Sequence, residues 1–442
     1  MDFIKSKVSK KLLICLVILI ILIISAVTFA ENLDVTKIAQ DYPYKDSAIM
    51  ATVLGTPENQ QYKFKKPKGP MVRKLKTTKT IPDILRQWSD YEYGVWKQKS
   101  SSPLIIIISG TGSTYNSGYT MYMANIFYER GYNVIALSSP TTMPYIVSQS
   151  KNAYPGYIKD ETKDLYEIMI KIVNKEKKEN MKISKTYVGG FSLGGFQSIL
   201  IHELDSKEKK LVIEKSLVLN SPKSILTATQ RLDNFLIKNS IYDAKGLEKY
   251  LDSKFSKILY DDNLKLSEVD FGDLMGVLGK LNLNSSDFEI LTGLLFRFYS
   301  ANMTFAGEVF SGKNSTGRLS NKKEYKRFDS VTKEFAEGLS VSFDEYAKDL
   351  LYPYIKNTKN PDLTLGDFIK QFDLENSRDF ISENNKNIVF ITSKDDVLIS
   401  ESDLEYIKNN FTNNVIIPFG GHTGVLWHKD VAKLMVDKLE EK

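Results

Sequence analysis

Apolar positions cluster in this chain as short continuous runs rather than in a single repeating period. Leu104-Ile105-Ile106-Ile107-Ile108, Asn133 to Leu137, Ile183 to Val188, Lys215 to Asn220, Asn387 to Thr392 and Asn414 to Ile417 are four to six residues long and rich in β-branched side chains. Runs of this kind suit strands buried on both faces, as in a parallel sheet. Helical periodicity falls between them, at Tyr119 to Arg130, Tyr157 to Asn174, the run after Gly195, and about Val425 to Leu439. Strands alternating with helices predict an α/β architecture: a doubly wound, mostly parallel sheet with helices on both faces. Ahead of the first buried run, Tyr62-Lys63-Phe64 and Met71 to Leu75 look strand-like, and Ile84 to Trp96 looks amphipathic. We read 31–102 as a linker plus leading antiparallel strands.

About 165 residues separate Ser221-Pro222 from Asn387, with helical patterning and no strand alternation. Loops longer than about 15 residues are seldom structureless in compact domains, so a helical insertion is expected there. Ser342-Phe343-Asp344-Glu345 is a capping box, and Phe288, Leu291, Leu295 and Phe298 fall on one helix face. The expected organisation is a core over 103–222, a helical cap over 223–386 and a second core piece over 387–442.

The first 30 residues form a separate unit. Lys5, Lys7, Lys10 and Lys11 precede nineteen uncharged residues, Leu12 to Ala30. That length can span a bilayer, and the flanking charge keeps the N-terminus cytoplasmic. We expect a membrane anchor or a signal peptide, with Thr28-Phe29-Ala30 as a tolerable cleavage site and the remainder exported to the extracytoplasmic side of a bacterial envelope. Cys15, the one cysteine, lies inside this run, so the exported part carries no thiol to oxidise. Basic residues number 60 against 54 acidic ones, with no dense basic face, which argues against a nucleic-acid partner. Lys171 to Lys178 reads as solvated surface. There is no metal-spaced His/Cys cluster, dinucleotide fingerprint or internal repeat, and no cofactor is expected.

The chemistry concentrates at Gly190-Phe191-Ser192-Leu193-Gly194, between a strand and a helix. A serine on so sharp a turn presents its hydroxyl outward, and side chains at Gly190 and Gly194 would collide with neighbouring backbone. Gly195 eases helix–strand contact. An acid and a histidine should follow in that order. His202 sits ten residues along the same helix, roughly 15 Å up the axis, and reads as surface. His428 reads as a solvated side chain at the start of the last helix. His422, on Gly420-Gly421-His422-Thr423-Gly424 after the last strand, can swing over the turn. Either Asp395 or Asp396 could orient it. Asp396 is preferred because it directly precedes the apolar Val397-Leu398-Ile399, which can anchor the loop. The N–H of Leu193 and that of Thr111, in Ser109-Gly110-Thr111-Gly112-Ser113 after the first buried run, are candidate donors to an oxyanion. That loop lacks a following Gly-Lys-Ser/Thr, which excludes a nucleotide P-loop.

Together these segments resemble the α/β-hydrolase superfamily over about Pro103 to Ser221 and Asn387 to Lys442. One departure stands at the oxyanion loop, where many members have His-Gly and this chain has Ser109-Gly110. The resemblance implies a covalent acyl-enzyme route on Ser192, His422 and Asp396, and it makes the insertion similar to the lids of that superfamily; a small acyl molecule is the expected substrate, on the strength of the Phe- and Leu-rich insertion. An exported serine esterase is the expected function. A serine peptidase or acyltransferase of the same fold, or a non-catalytic binding member, are the alternatives. Retention of Ser, acid and His together argues against the last.

Overall fold

The structure, a computed structural model, describes residues 34–259, 283–312 and 325–441. The anchor or signal expected over 1–30 and two stretches of the insertion lie outside the described residues. Among the described residues no helix is long and apolar enough to cross a membrane.

Eight strands form one sheet: β1 (Met71–Lys76), β2 (Asp90–Trp96), β3 (Ser102–Ile108), β4 (Asn133–Leu137), β5 (Ile183–Phe191), β6 (Ile213–Leu219), β7 (Ile388–Ser393) and β8 (Asn414–Ile417). Their order is β1-β2-β4-β3-β5-β6-β7-β8. The β1–β2 and β2–β4 pairs are antiparallel, and every other pair is parallel. Strand β3 shows why its run is apolar throughout. Successive side chains point to opposite faces. Ile105 and Ile107 pack with Met123 and Phe127 of the helix Gly118–Glu129 and with Met435 of the helix Lys429–Glu440. Leu104, Ile106 and Ile108 pack on the other side with Leu165 and Met169 of the helix Ile158–Lys178. Both faces are covered, so the alternation that marks a half-exposed strand is missing.

The region ahead of β3 departs from expectation. Ile84 to Trp96 is not one amphipathic helix but a 3-10 turn, Asp83–Trp88, followed by β2. Tyr91, Tyr93 and Val95 repeat every second residue and are fully buried, a strand period. Tyr62 to Phe64 form no strand; beside them Gln61 makes one isolated bridge to His428. The last helix is also broken, into the 3-10 turn Gly424–Trp427 and the helix Lys429–Glu440.

Between β6 and β7 the described residues are helical, with no strand beyond a lone Ser224–Asp373 bridge. The longest helix, Ser285–Ser311, opens on a capping box in which the Asn284 side chain accepts from the Asp287 N–H and Asp287 accepts from the Asn284 N–H. The Ser342–Glu345 box is formed as expected. Of the residues read onto one face of the long helix, Phe288 is buried, whereas Leu295 and Phe298 are 51% and 46% exposed. The buried face mixes large residues, Ile290, Met303 and Phe305, with small ones at the points where neighbours come closest. A Cβ on Gly293 would sit 2.9 Å from Leu236 Cγ of the helix Ile225–Ile237, and one on Gly307 would sit 2.3 Å from the Tyr154 ring. A buried ion pair crosses the same interface: Arg297 Nη2 donates to Asp233 at 2.6 Å.

Candidate active site

Strand β5 ends at Phe191, and the helix Leu193–Glu208 begins at Leu193. Ser192 alone makes the turn, with φ 54° and ψ −126°, a left-handed backbone that non-glycine residues adopt rarely and at a cost. The turn holds because the surroundings exclude side chains on either side. A Cβ on Gly190 would lie 2.5 Å from the Gly194 backbone, and one on Gly194 only 2.1 Å from the Ile108 carbonyl oxygen. A Cβ on Gly195 would sit 3.0 Å from Ser221 Cβ, the close helix–strand contact expected there.

The loop after β8 carries His422 to this turn. His422 Nε2 lies 3.0 Å from Ser192 Oγ, and Nδ1 lies 3.0 and 2.9 Å from the two Asp396 oxygens. A carboxylate can only accept, so Nδ1 carries the proton and Nε2 is left to accept from the serine hydroxyl. Asp396 is buried and further tied by the Asn220 amide at 2.8 Å and the Leu398 N–H at 2.9 Å. Asp395 points elsewhere. Its Oδ1 accepts from the Gly421 N–H at 2.9 Å, and burial raises its carboxyl above the usual range. The two neighbouring acids thus divide the work: one faces the imidazole, the other fixes the loop that bears it.

The other histidines are not where the sequence suggested. His202 is buried, with Nδ1 2.7 Å from Ser216 Oγ and its ring edge-on to Phe380; burial lowers its pKa to about 4, so the ring is neutral. His428 is fully buried too. Its Nδ1 caps the last helix by accepting from the Asp430 N–H at 3.2 Å, while Nε2 meets Asp41 at 2.9 Å. Both had been read as surface side chains.

Sequence reasoning also missed the brace behind His422. The helix Ala48–Leu54, inside a region read as a linker, lies against the histidine loop. Thr52 Oγ1 accepts from the His422 N–H at 2.8 Å, and Thr56 Oγ1 donates to the Gly424 carbonyl at 2.8 Å. A Cβ on Gly421 would sit 2.2 Å from the Ala48 oxygen, and one on Gly424 would sit 1.9 Å from that of Ala51. The glycine spacing around His422 was the available signal: it marks a loop against which another backbone is pressed.

On the opposite side, Ser109 holds the β3 loop by donating to the Leu137 carbonyl at 2.8 Å. Thr141 Oγ1 accepts from the Gly112 N–H at 2.8 Å. Gly112, at φ +71°, lies directly under the Tyr299 ring from the insertion. Thr111, Ser192 and Leu193 line one cleft of about 770 Å³, open mouth included. The Leu193 N–H, at the first helical position, is among the donors a helix leaves without an internal partner. The rest of the lining is mostly apolar and comes from the insertion, with Ile225, Leu226, Leu232, Phe296, Met303 and Phe343 among it. Tyr346, Ala347 and Leu351 reach the cleft from a π-helical segment, Tyr346–Leu351, just ahead of Pro353.

An eight-stranded sheet in which β2 alone runs opposite to the rest carries a strained serine turn after β5, followed in the chain by an acid after β7 and a histidine after β8. The chain has the α/β-hydrolase fold. No protein-family model matches the sequence, and neither does any curated protein. Several solved structures align with it. A soluble variant of monoglyceride lipase from Saccharomyces cerevisiae, in complex with a substrate analogue, is 12% identical, with 86% of this chain and 96% of that one covered and a TM-score of 0.41. The thioesterase domain from the curacin biosynthetic pathway is 11% identical over 84% of this chain and 100% of that one, with a TM-score of 0.36. Acylaminoacyl peptidase from Pyrococcus horikoshii is 9% identical over 85% of this chain and 40% of that one, at 0.38. Within the α/β-hydrolase fold the insertion between β6 and β7 roofs the cleft, and it contributes most of the surface a bound molecule would meet.

Proposed function

We propose that this protein is a serine hydrolase that cleaves carboxylic esters or thioesters through an acyl-enzyme. The observation that carries the reading is the unbroken hydrogen-bonded chain from Ser192 Oγ through His422 to Asp396, opening on an apolar cleft. In the first step Ser192 Oγ attacks the acyl carbonyl carbon while His422 Nε2 takes its proton. The carbonyl oxygen gains the negative charge, and the N–H groups of Leu193 and Thr111 receive it. As the tetrahedral species collapses, the bond to the leaving group breaks and His422 returns the proton to it. Water, deprotonated by the same nitrogen, then releases the acid and restores Ser192. Asp396 keeps the imidazole in the required tautomer and stabilises its cationic form.

The apolar lining favours an acyl chain. Each added methylene should contribute about 0.8 kcal/mol, roughly fourfold in binding, until the cleft is full. The apolar run Leu12 to Ala30 supports export as a further part of the proposal. Reaction of the purified full-length protein with a fluorophosphonate tests the catalytic assignment. Ser192→Ala and His422→Ala should abolish labelling. Labelling that survives Ser192→Ala would put the nucleophile elsewhere.

A further inference from the structure

One polar group in the cleft has no part in this chemistry. Glu161 lies in the first turn of the helix Ile158–Lys178 and is only 6% exposed. It lines the same cleft as Ser192, beside Gly156, Met303 and Tyr346. Its Oε1 is fully buried and has no hydrogen-bond partner. Among the described residues no cation acts on it, and the Tyr145 hydroxyl, which feels its charge, is itself buried without a hydrogen-bond partner. Asp164, one turn along, takes Lys151 at 2.9 Å. The Tyr346 hydroxyl donates to the Pro155 carbonyl at 2.8 Å. Asp164 and the phenols of Tyr346 and Tyr145 are the ionisable groups that act on Glu161 or feel it, and none of them is a cation.

An unpaired buried carboxyl is costly for the folded chain, and one that lines a binding cleft can be satisfied by what binds there. We infer that Glu161 determines specificity by hydrogen-bonding a hydroxyl group carried along the acyl chain of the substrate, away from the carbonyl that Ser192 attacks. Burial raises its pKa to about 8, so near neutrality it is mostly the uncharged acid. An uncharged carboxyl both donates and accepts, as a hydroxyl does, so the two can satisfy each other. An ammonium has only donors, and in an apolar cleft it would require the carboxylate form as well as loss of its own hydration. The hydroxyl is therefore the better match. This inference rests on the acyl-hydrolase reading above and narrows its substrate class.

The test compares p-nitrophenyl esters of plain and terminally hydroxylated acids from butanoyl to dodecanoyl, on the full-length protein, with fluorophosphonate labelling of Ser192 run in parallel. At the chain length that reaches Glu161, the hydroxylated ester should have the higher kcat/KM by about tenfold, since it pairs groups otherwise left unsatisfied. Glu161→Leu should erase that preference, read as the ratio of kcat/KM for the hydroxylated and the plain ester of one chain length, whatever the variant does to each rate. Glu161→Gln, which still donates and accepts, should keep part of it. A hydroxyl preference absent at every length, or unchanged in Glu161→Leu, overturns the inference. So does a stronger preference for terminally aminated esters, which would make Glu161 a counter-ion. If Ser192 labels and no ester of either series is cleaved, the inference also falls. Failure of wild-type Ser192 to label would instead bring down the hydrolase reading beneath it.

Discussion

Asn220 offers a sharp test of how the acid at the site is held. It follows β6 in a left-handed conformation, φ 43°, and its amide donates to Asp396 at 2.8 Å and to the Gly421 carbonyl at 3.3 Å. One side chain thus ties the acid to the histidine loop. Asn220→Asp preserves its shape, and aspartate tolerates this backbone nearly as well as asparagine, but it replaces the donor with an acceptor. The lost bond had a charged acceptor, worth about 1.5–3 kcal/mol. Two carboxylates 2.8 Å apart would also repel by about 6 kcal/mol at an effective dielectric of about 20. Rather than bear that repulsion, the pair will hold one proton between them. Asp396 then no longer presents a full charge to the imidazolium formed when Ser192 reacts. The second-order rate constant for fluorophosphonate labelling, an assay that needs no knowledge of the natural substrate, should fall by about ten- to a hundredfold at neutral pH. It should partly recover as rising pH removes the shared proton. The melting temperature should also fall, by a few degrees for a loss of about 1.5–3 kcal/mol. Wild-type labelling by Asn220→Asp at neutral pH would refute the claim that Asn220 holds Asp396 in place for the imidazole.

The parts of the site legible in the sequence were those whose requirements are local. Gly190 could be understood from the turn itself, because a Cβ there would meet the Gly194 backbone, and the glycines at 194 and 195 belong to the same short pattern even though the neighbours pressing on them, Ile108 and Ser221, lie at the ends of other strands. The buried strands announced themselves because a sheet covered on both faces needs apolar residues at every position. What escaped depended on partners distant in the chain. Asp41 holds His428 from 387 residues away, and Thr52 holds the His422 N–H from 370 away. Nothing in either segment by itself names the other. Asn220 was seen only as the end of a strand, since the acid it serves lies 176 residues on. The face of the long insertion helix was misjudged for a different reason. Periodicity located an apolar stripe of which Phe288 is buried and Leu295 and Phe298 are exposed, while the face that packs also takes Gly293, Ala301 and Gly307 where neighbours come close, a demand no apolar stripe reveals.

Asp395→Asn should slow labelling far less than Asp396→Asn, since Asp395 meets only loop backbone; the reverse order would exchange their roles. Gly112→Ala should lower the melting temperature, because its Cβ would lie 2.0 Å from the Tyr299 ring at a positive φ; the double variant with Tyr299→Ala should recover the part due to the clash and none of the backbone strain. Arg297→Leu should cost about 3–5 kcal/mol in denaturant unfolding, because it strands the buried Asp233; a loss under about 1 kcal/mol would mean that water reaches that carboxylate. If the exported arrangement is right, a reporter fused after Lys442 should be active only outside the cytoplasm; activity confined to the cytoplasm would exclude it. Glu161 makes the last prediction, on stability alone. Its folded pKa of about 8 lies above the usual glutamate value of 4.5, so between those two pH values the folded state holds a proton that the unfolded chain has released. Its contribution is fully present below about pH 4.5 and is lost as pH rises towards 8, at up to about 1.4 kcal/mol per pH unit. Glu161→Gln has no proton to lose. Its stability relative to wild type, from urea unfolding, should therefore climb across that window and level off above it. A constant difference between the two proteins would show that Glu161 reaches water in the folded state, and that the cleft around it is wetter than its lining implies.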